Sequence, residues 1–165
     1  MTDEESLQEL QDLIRGVVEA QTDDFSDLAK IAGLNPDEDF VGADLRGVNL
    51  RIADLRRANL SDADLRRANL SDADLSHANL SGVNLSHANL SGAILSDANL
   101  SGANLSGVFL IGAILSGAIL SGAEVENARF GDNLGISQTM KLDLIRRGAI
   151  FEDSPGDRSG VLTRR

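Results

Sequence analysis

Between Glu38 and Asp132 an apolar residue recurs at every fifth position without interruption: Phe40, then Leu from Leu45 to Leu120, then Val125 and Phe130. A second, smaller apolar residue sits two places ahead. All eighteen of these positions from Ala43 to Ala128 are Ala or Val, with Val only at Val48, Val83 and Val108. The other three places in each group of five are mostly polar. Residues 38–132 therefore divide into nineteen pentapeptides with no insertion.

A period of five fits neither the 3.6-residue period of an amphipathic helix nor the two-residue alternation of a half-buried strand. The chain must instead turn every five residues. Pairs such as Ser81-Gly82, Ser91-Gly92, Ser101-Gly102 and Ser121-Gly122 are turn chemistry, because glycine accepts the positive φ that a type II turn requires. Asp62, Asp72, His77 and His87 fill the same slot. Less suited to positive φ, they are expected to adopt other turn types. Short extended segments joined in this way wind into a coil with Leu and Ala inward. Backbone hydrogen bonds must then run between stacked coils, so a single coil is not stable alone.

Runs such as Ala58-Asn59-Leu60-Ser61-Asp62 and Ala63-Asp64-Leu65-Arg66-Arg67 resemble the A-(D/N)-L-X-X pattern of the pentapeptide-repeat family. The resemblance covers residues 38–132. It implies a mainly β fold, a right-handed quadrilateral parallel β-helix with four pentapeptides per coil. Nineteen pentapeptides then make about 4.75 coils, a rod about 23 Å long at strand spacing.

An open solenoid exposes a sheet edge and an apolar core at both ends, so covers are expected. Residues 1–37 predict a helical N-terminal cap, with Leu7, Leu10, Leu13, Ile14, Val17 and Val18 at helical spacing and a second short helix over 24–32 carrying Phe25, Leu28 and Ile31. Residues 133–151 predict a C-terminal helical cap: Ser137 serves as N-cap of a helix reaching about Arg147, with Met140, Leu144 and Ile145 facing inward. Residues 152–165, a mixture of Pro, Gly, Ser and charges, predict a flexible tail. These helical ends resemble those of cyanobacterial members of the family.

The chain has no cysteine, which excludes disulfides, thiolate metal sites and cysteine nucleophiles. Its formal charge of −11 disfavours direct binding to nucleic acid or an anionic membrane, which need a basic footprint. With an acidic N-terminus and no apolar stretch of signal or membrane-span length, a cytoplasmic protein is expected.

With four pentapeptides per coil, residues twenty apart stack on one face. Arg46 then lies beneath Arg66, Asp44 beneath Asp64 and Asp54 beneath Asp74, a lattice of exposed ion pairs. His77 and His87, ten apart, fall on opposite sides and cannot share a metal. No catalytic, cofactor-binding or metal site is expected, because the polar residues point radially outward and no reactive set converges. Asn59, Asn69, Asn79, Asn84, Asn89, Asn99 and Asn104 each begin Asn-Leu-Ser, a formal glycosylation acceptor. The repeat produces that match, and ladders of inter-coil hydrogen bonds are the expected use of these amides.

The departure from the pattern lies late in the rod, where outward positions become Ile94, Phe109, Ile111, Ile114 and Ile119. This strip is expected to pack against the C-terminal helix or to bind a protein partner or a second copy. The function that follows is a non-catalytic structural or protein–protein interaction module. The family resemblance supplies an alternative, a DNA-mimicking modulator of DNA gyrase. The early arginines Arg46, Arg51, Arg56, Arg57, Arg66 and Arg67, and the lack of loops between pentapeptides, weigh against it.

Overall fold

The computed structural model describes residues 40–152. Both proposed N-terminal helices, and the tail beyond Glu152, lie outside the described residues. Fifteen parallel bridges join residues twenty apart, beginning with Asp44↔Asp64 and ending with Ile114↔Leu134. Four pentapeptides therefore complete each coil. The bridges define four faces, named here by their first rungs: Asp44, Asn49, Asp54 and Asn59.

Each side contributes the same three inter-coil bonds. On the Asp44 face, Leu45 N donates to Asp64 O at 2.8 Å, Asp64 N to Ala43 O at 2.9 Å, and at the next corner Gly47 N to Arg66 O at 2.9 Å. A fourth bond, such as Val48 N to Leu45 O at 3.3 Å, closes the corner itself. Inside, every leucine from Leu45 to Leu115 is at most 2 % exposed. The small inner positions are buried too, none more than 7 % exposed except Val48, which is partly exposed. No polar side chain is buried among the described residues.

The corners correct one expectation. Asp62, Asp72, His77 and His87 do not escape to other turn types but hold φ of 58°, 59°, 60° and 60°. The stack is the reason. At each such corner the N–H of this residue donates to the serine carbonyl of the next coil, as Asp62 N does to Ser81 O at 2.9 Å and His77 N to Ser96 O at 2.8 Å. A different turn would abandon that bond and shift the register above it. The left-handed conformation costs a non-glycine residue about 1–2 kcal/mol, and the hydrogen-bonded ladder offsets it.

Ile52 is the most strained of these residues, a β-branched side chain at φ 57° that is 46 % exposed. Ile52→Gly is expected to raise stability by about 1 kcal/mol, left-handed strain being relieved at some cost in unfolded-state entropy. Thermal and denaturant unfolding of the two proteins measure it directly. An unchanged or lower midpoint would contradict the assigned strain.

At the far end the coil pattern stops. Strand β1 (Arg129–Phe130) pairs in parallel with β2 (Ile150–Phe151), adding one more rung to the Asn49 face. Between them runs helix α1 (Gln138–Arg146), whose N-cap Ser137 accepts a hydrogen bond from Met140 N at 3.1 Å. The helix lies over the end of the core. Leu144 is fully buried, Met140 packs against the core, and Phe151 stacks on Phe130 with ring centroids 5.0 Å apart. Ile145 departs from expectation: it is 45 % exposed, because a helix lying on the end of a narrow rod turns only one stripe inward.

Side chains replace the missing coil where the ladder ends. Ala93 O accepts from Ile114 N and Ala103 O from Glu124 N, each at 2.9 Å. One coil later, Ala113 O takes its bond from Asn133 Nδ2 at 3.0 Å, and Ala123 O from Arg147 Nη1 at 3.3 Å. Asn133 Nδ2 also reaches Leu110 O at 2.5 Å, and Arg147 Nη1 stands 3.5 Å from Leu120 O.

Candidate interaction surface

Outside the core, Asp and Asn mainly serve their own corners. Asn79 Oδ1 accepts from Ser81 N at 3.2 Å and Ser81 Oγ at 2.8 Å. Asn99 does the same with Ser101, at 3.1 and 2.6 Å. Side-chain clamping of a turn two residues ahead suits Asn and Asp particularly. Inter-coil amide bonds also form, Asn69 to Asn49 at 3.2 Å and Asn79 to Asn59 at 3.0 Å. The recurring Asn-Leu-Ser runs pointed to these inter-coil bonds but not to the corner clamps.

The early coils carry the charge. Arg46 Nη2 lies 2.5 Å from Asp44 and its Nε 3.8 Å from Asp64, while Arg66 Nη2 lies 2.5 Å from Asp64. Arg56 repeats the arrangement with Asp54 at 2.5 Å and Asp74 at 3.9 Å. The hydrogen bond from Arg66 holds the Asp64 carboxyl below its usual range against the opposing effect of desolvation. Hydrogen bonds to Asp44, Asp54 and Asp64 in turn raise Arg46, Arg56 and Arg66 above the ordinary guanidinium value. These exposed pairs keep the acids charged and occupied rather than forming a free anionic track. His77 and His87 stand at diagonally opposite corners, His77 Nδ1 being 3.8 Å from Asp97.

The late coils are different. Ile94, Ile114 and Leu134 form three consecutive rungs of the Asp54 face, and Leu134 is 61 % exposed. Leu134 was missed in the sequence because it follows the break at Asn133; its spacing of twenty from Ile114 was the available signal. Ile111 stands at the adjoining corner. Phe109 lies on the Asn49 face, 37 % exposed, with the Arg129 guanidinium 5.2 Å from its ring centre. Ile119 lies on the Asn59 face, 49 % exposed. Helix α1 sits on the end of the rod and leaves Phe109 and Ile119 accessible.

Stacked parallel coils with short corners and polar atoms committed to those corners define a rigid repeat solenoid. The family model for pentapeptide repeats matches eight copies over residues 53–92 and 93–132. The chain belongs to the pentapeptide-repeat family, whose fold is the right-handed β-helix.

Among solved structures, the chain is similar to a pentapeptide repeat protein from the Arabidopsis thaliana thylakoid lumen, at 30 % identity, covering 67 % of this chain and 81 % of that one, with a TM-score of 0.40. A pentapeptide repeat protein from Nostoc PCC 7120 matches at 29 % identity over 84 % of this chain and 93 % of that one, with a TM-score of 0.43. A plasmid-mediated fluoroquinolone resistance protein matches at 22 % identity over 70 % and 77 %, with a TM-score of 0.33. No curated protein matches the chain. No helix among the described residues is long and apolar enough to cross a membrane.

Proposed function

We propose that this protein is a non-catalytic, cytoplasmic interaction module whose contact surface is the late apolar strip. The observation that carries this reading is the change from Asp54 and Asp74 to Ile94, Ile114 and Leu134 along one ladder whose backbone does not change. The fold has no use for isoleucine at an outward rung, since Asp and Asn clamp the corner there. Apolar rungs that are half-buried at Ile94 and Ile114 and exposed at Leu134 therefore lose a turn clamp and gain nothing unless another surface covers them. The corner-clamping of Asn and Asp also leaves few polar atoms available for a reactive constellation, which supports a non-catalytic role.

A photo-crosslinking residue placed at Phe109 or Ile119 in the source cell is expected to give a discrete adduct. The same residue at Asn79, on the polar part of the rod, is expected to give none. Equal labelling from all three, or no adduct from the first two, would overturn the reading.

The acidic balance of −11 keeps gyrase modulation as the alternative. The arginines bound to Asp44, Asp54 and Asp64 break the continuous negative track that mimicry of DNA needs. A supercoiling assay showing neither inhibition nor drug protection at large protein excess removes that alternative.

A further inference from the structure

The upper Asp54 face is an apolar track edged by acids. Asp97 lies in the space that a Cβ on Gly117 would take, beside Ile114, and Asp72 fills the equivalent space at Gly92, beside Ile94. Their side chains stay 62 % and 52 % exposed, with His77 3.8 Å from Asp97 and Arg51 3.3 Å from Asp72. Asp74 is the rung below Ile94. Such a track suits an extended segment that carries branched apolar residues next to cations.

The chain itself carries that segment. Residues 158–165, Arg-Ser-Gly-Val-Leu-Thr-Arg-Arg, hold three arginines, no acid, and Val161 beside Leu162. They are tethered at the head of the track. Glu152 stacks on Gly131, its carbonyl oxygen 3.1 Å from the place a Cβ there would take, and its carboxylate is bound to Arg129. That corner joins the Asn49 and Asp54 faces, next to Leu134, the top rung of the Asp54 face. We infer that residues 153–165 fold back down the upper Asp54 face, with Val161 and Leu162 over Ile114 and Ile94 and with Arg164 and Arg165 among Asp97, Asp72 and Asp74. This rests on the interaction-module reading and names the regulation of its surface, because a partner must displace the chain's own segment from these rungs.

Reach and tethering favour this occupant. Three coil steps separate Glu152 from Ile94, about 14 Å at strand spacing, whereas the stretch from Asp153 to Leu162 extends to about 34 Å. Pro155-Gly156 supplies a turn to absorb the slack. A short tether holds the segment at an effective concentration on the order of millimolar, so a contact too small to retain a free peptide suffices. The other faces suit it less. On the Asn49 face Arg129 already lies over the Phe109 ring and is bound to Glu152, so the ring's cation site is taken. Ile119, on the Asn59 face, stands one corner further from the tether.

The chain has no cysteine, so paired cysteines report the contact. In the full chain at low micromolar concentration, Ile114→Cys with Leu162→Cys is expected to form an intramolecular disulfide about tenfold faster than Ile119→Cys with Leu162→Cys, although one tether serves both. Adding Arg164→Gln and Arg165→Gln is expected to slow the Ile114 pair several-fold, and raising salt to about 0.5 M to do the same.

Equal rates from the two faces, an Ile114 pair indifferent to the loss of both arginines, or a disulfide formed mainly between two chains would overturn the inference. The interaction-module reading fails separately. A fast disulfide between positions 114 and 162 in a protein that gives no Phe109 or Ile119 adduct, even with residues 153–165 deleted, refutes the module and leaves the contact. Adducts from those positions together with equal disulfide rates refute the contact alone.

Discussion

Gly135→Ala is expected to cost about 3 kcal/mol or more and to release α1 before the rest of the rod unfolds. Gly135 has φ of +84°, and its Cα lies so close to the Asp54-face corner that an added Cβ would overlap the backbone N and Cα of Ser116 and fall 2.6 Å from Ser116 Oγ. Backbone cannot yield as a flexible side chain can. Here the chain leaves its last rung, Leu134, and crosses towards Ser137, so any displacement is passed to the helix cap. Gly112→Ala is the matched comparison, because its φ is +73° but an added Cβ meets nothing nearer than 3.9 Å. That variant should lose only the left-handed penalty, about 1–2 kcal/mol. Hydrogen exchange of the α1 amides together with denaturant unfolding measures both. Equal losses in the two variants would show that the crossing at Ser116 is not tight.

The difference between these glycines also shows what a sequence can disclose about this fold. Inside the rod each pentapeptide repeats the environment of its neighbours, so the five-residue period identifies Leu45 through Leu115 as core and sets the faces once the number per coil is known. Turn conformation is legible only in part. Local preference argues against positive φ at His77, yet its N–H is held by Ser96 one coil away, and a local rule does not contain that bond. The candidate strip was legible because isoleucine breaks a polar pattern at outward positions. Leu134 was not, since the period lapses at Asn133 while the ladder continues for one more rung. Ile145 shows the opposite failure: helical spacing alone places it with Met140 and Leu144, but the end of the rod is too narrow to cover all three.

Arg147→Ala is expected to destabilise the C-terminal end by about 2–3 kcal/mol, more than a residue just beyond a helix ordinarily contributes. Its guanidinium stands where the next coil would present an amide, with Nη1 3.3 Å from Ala123 O. Asp143, one turn back in α1, stands 3.2 Å from Nε as an ion pair without hydrogen-bond geometry, and its charge draws the group across the end of the stack. Removing it strands a carbonyl beside a residue only 4 % exposed, and a buried acceptor without a donor costs about 1–3 kcal/mol. The packing of the arginine stem over the apolar end is lost as well. Arg147→Lys separates these contributions: the stem and charge remain, but the planar fork between Asp143 and Ala123 O does not. It should recover about half of the loss, with slow exchange of the α1 amides restored in proportion. Full stability in Arg147→Ala would mean that the last coil needs no substitute donor on its Asp44 side and that Leu144 and Phe151 close the rod by apolar contact alone.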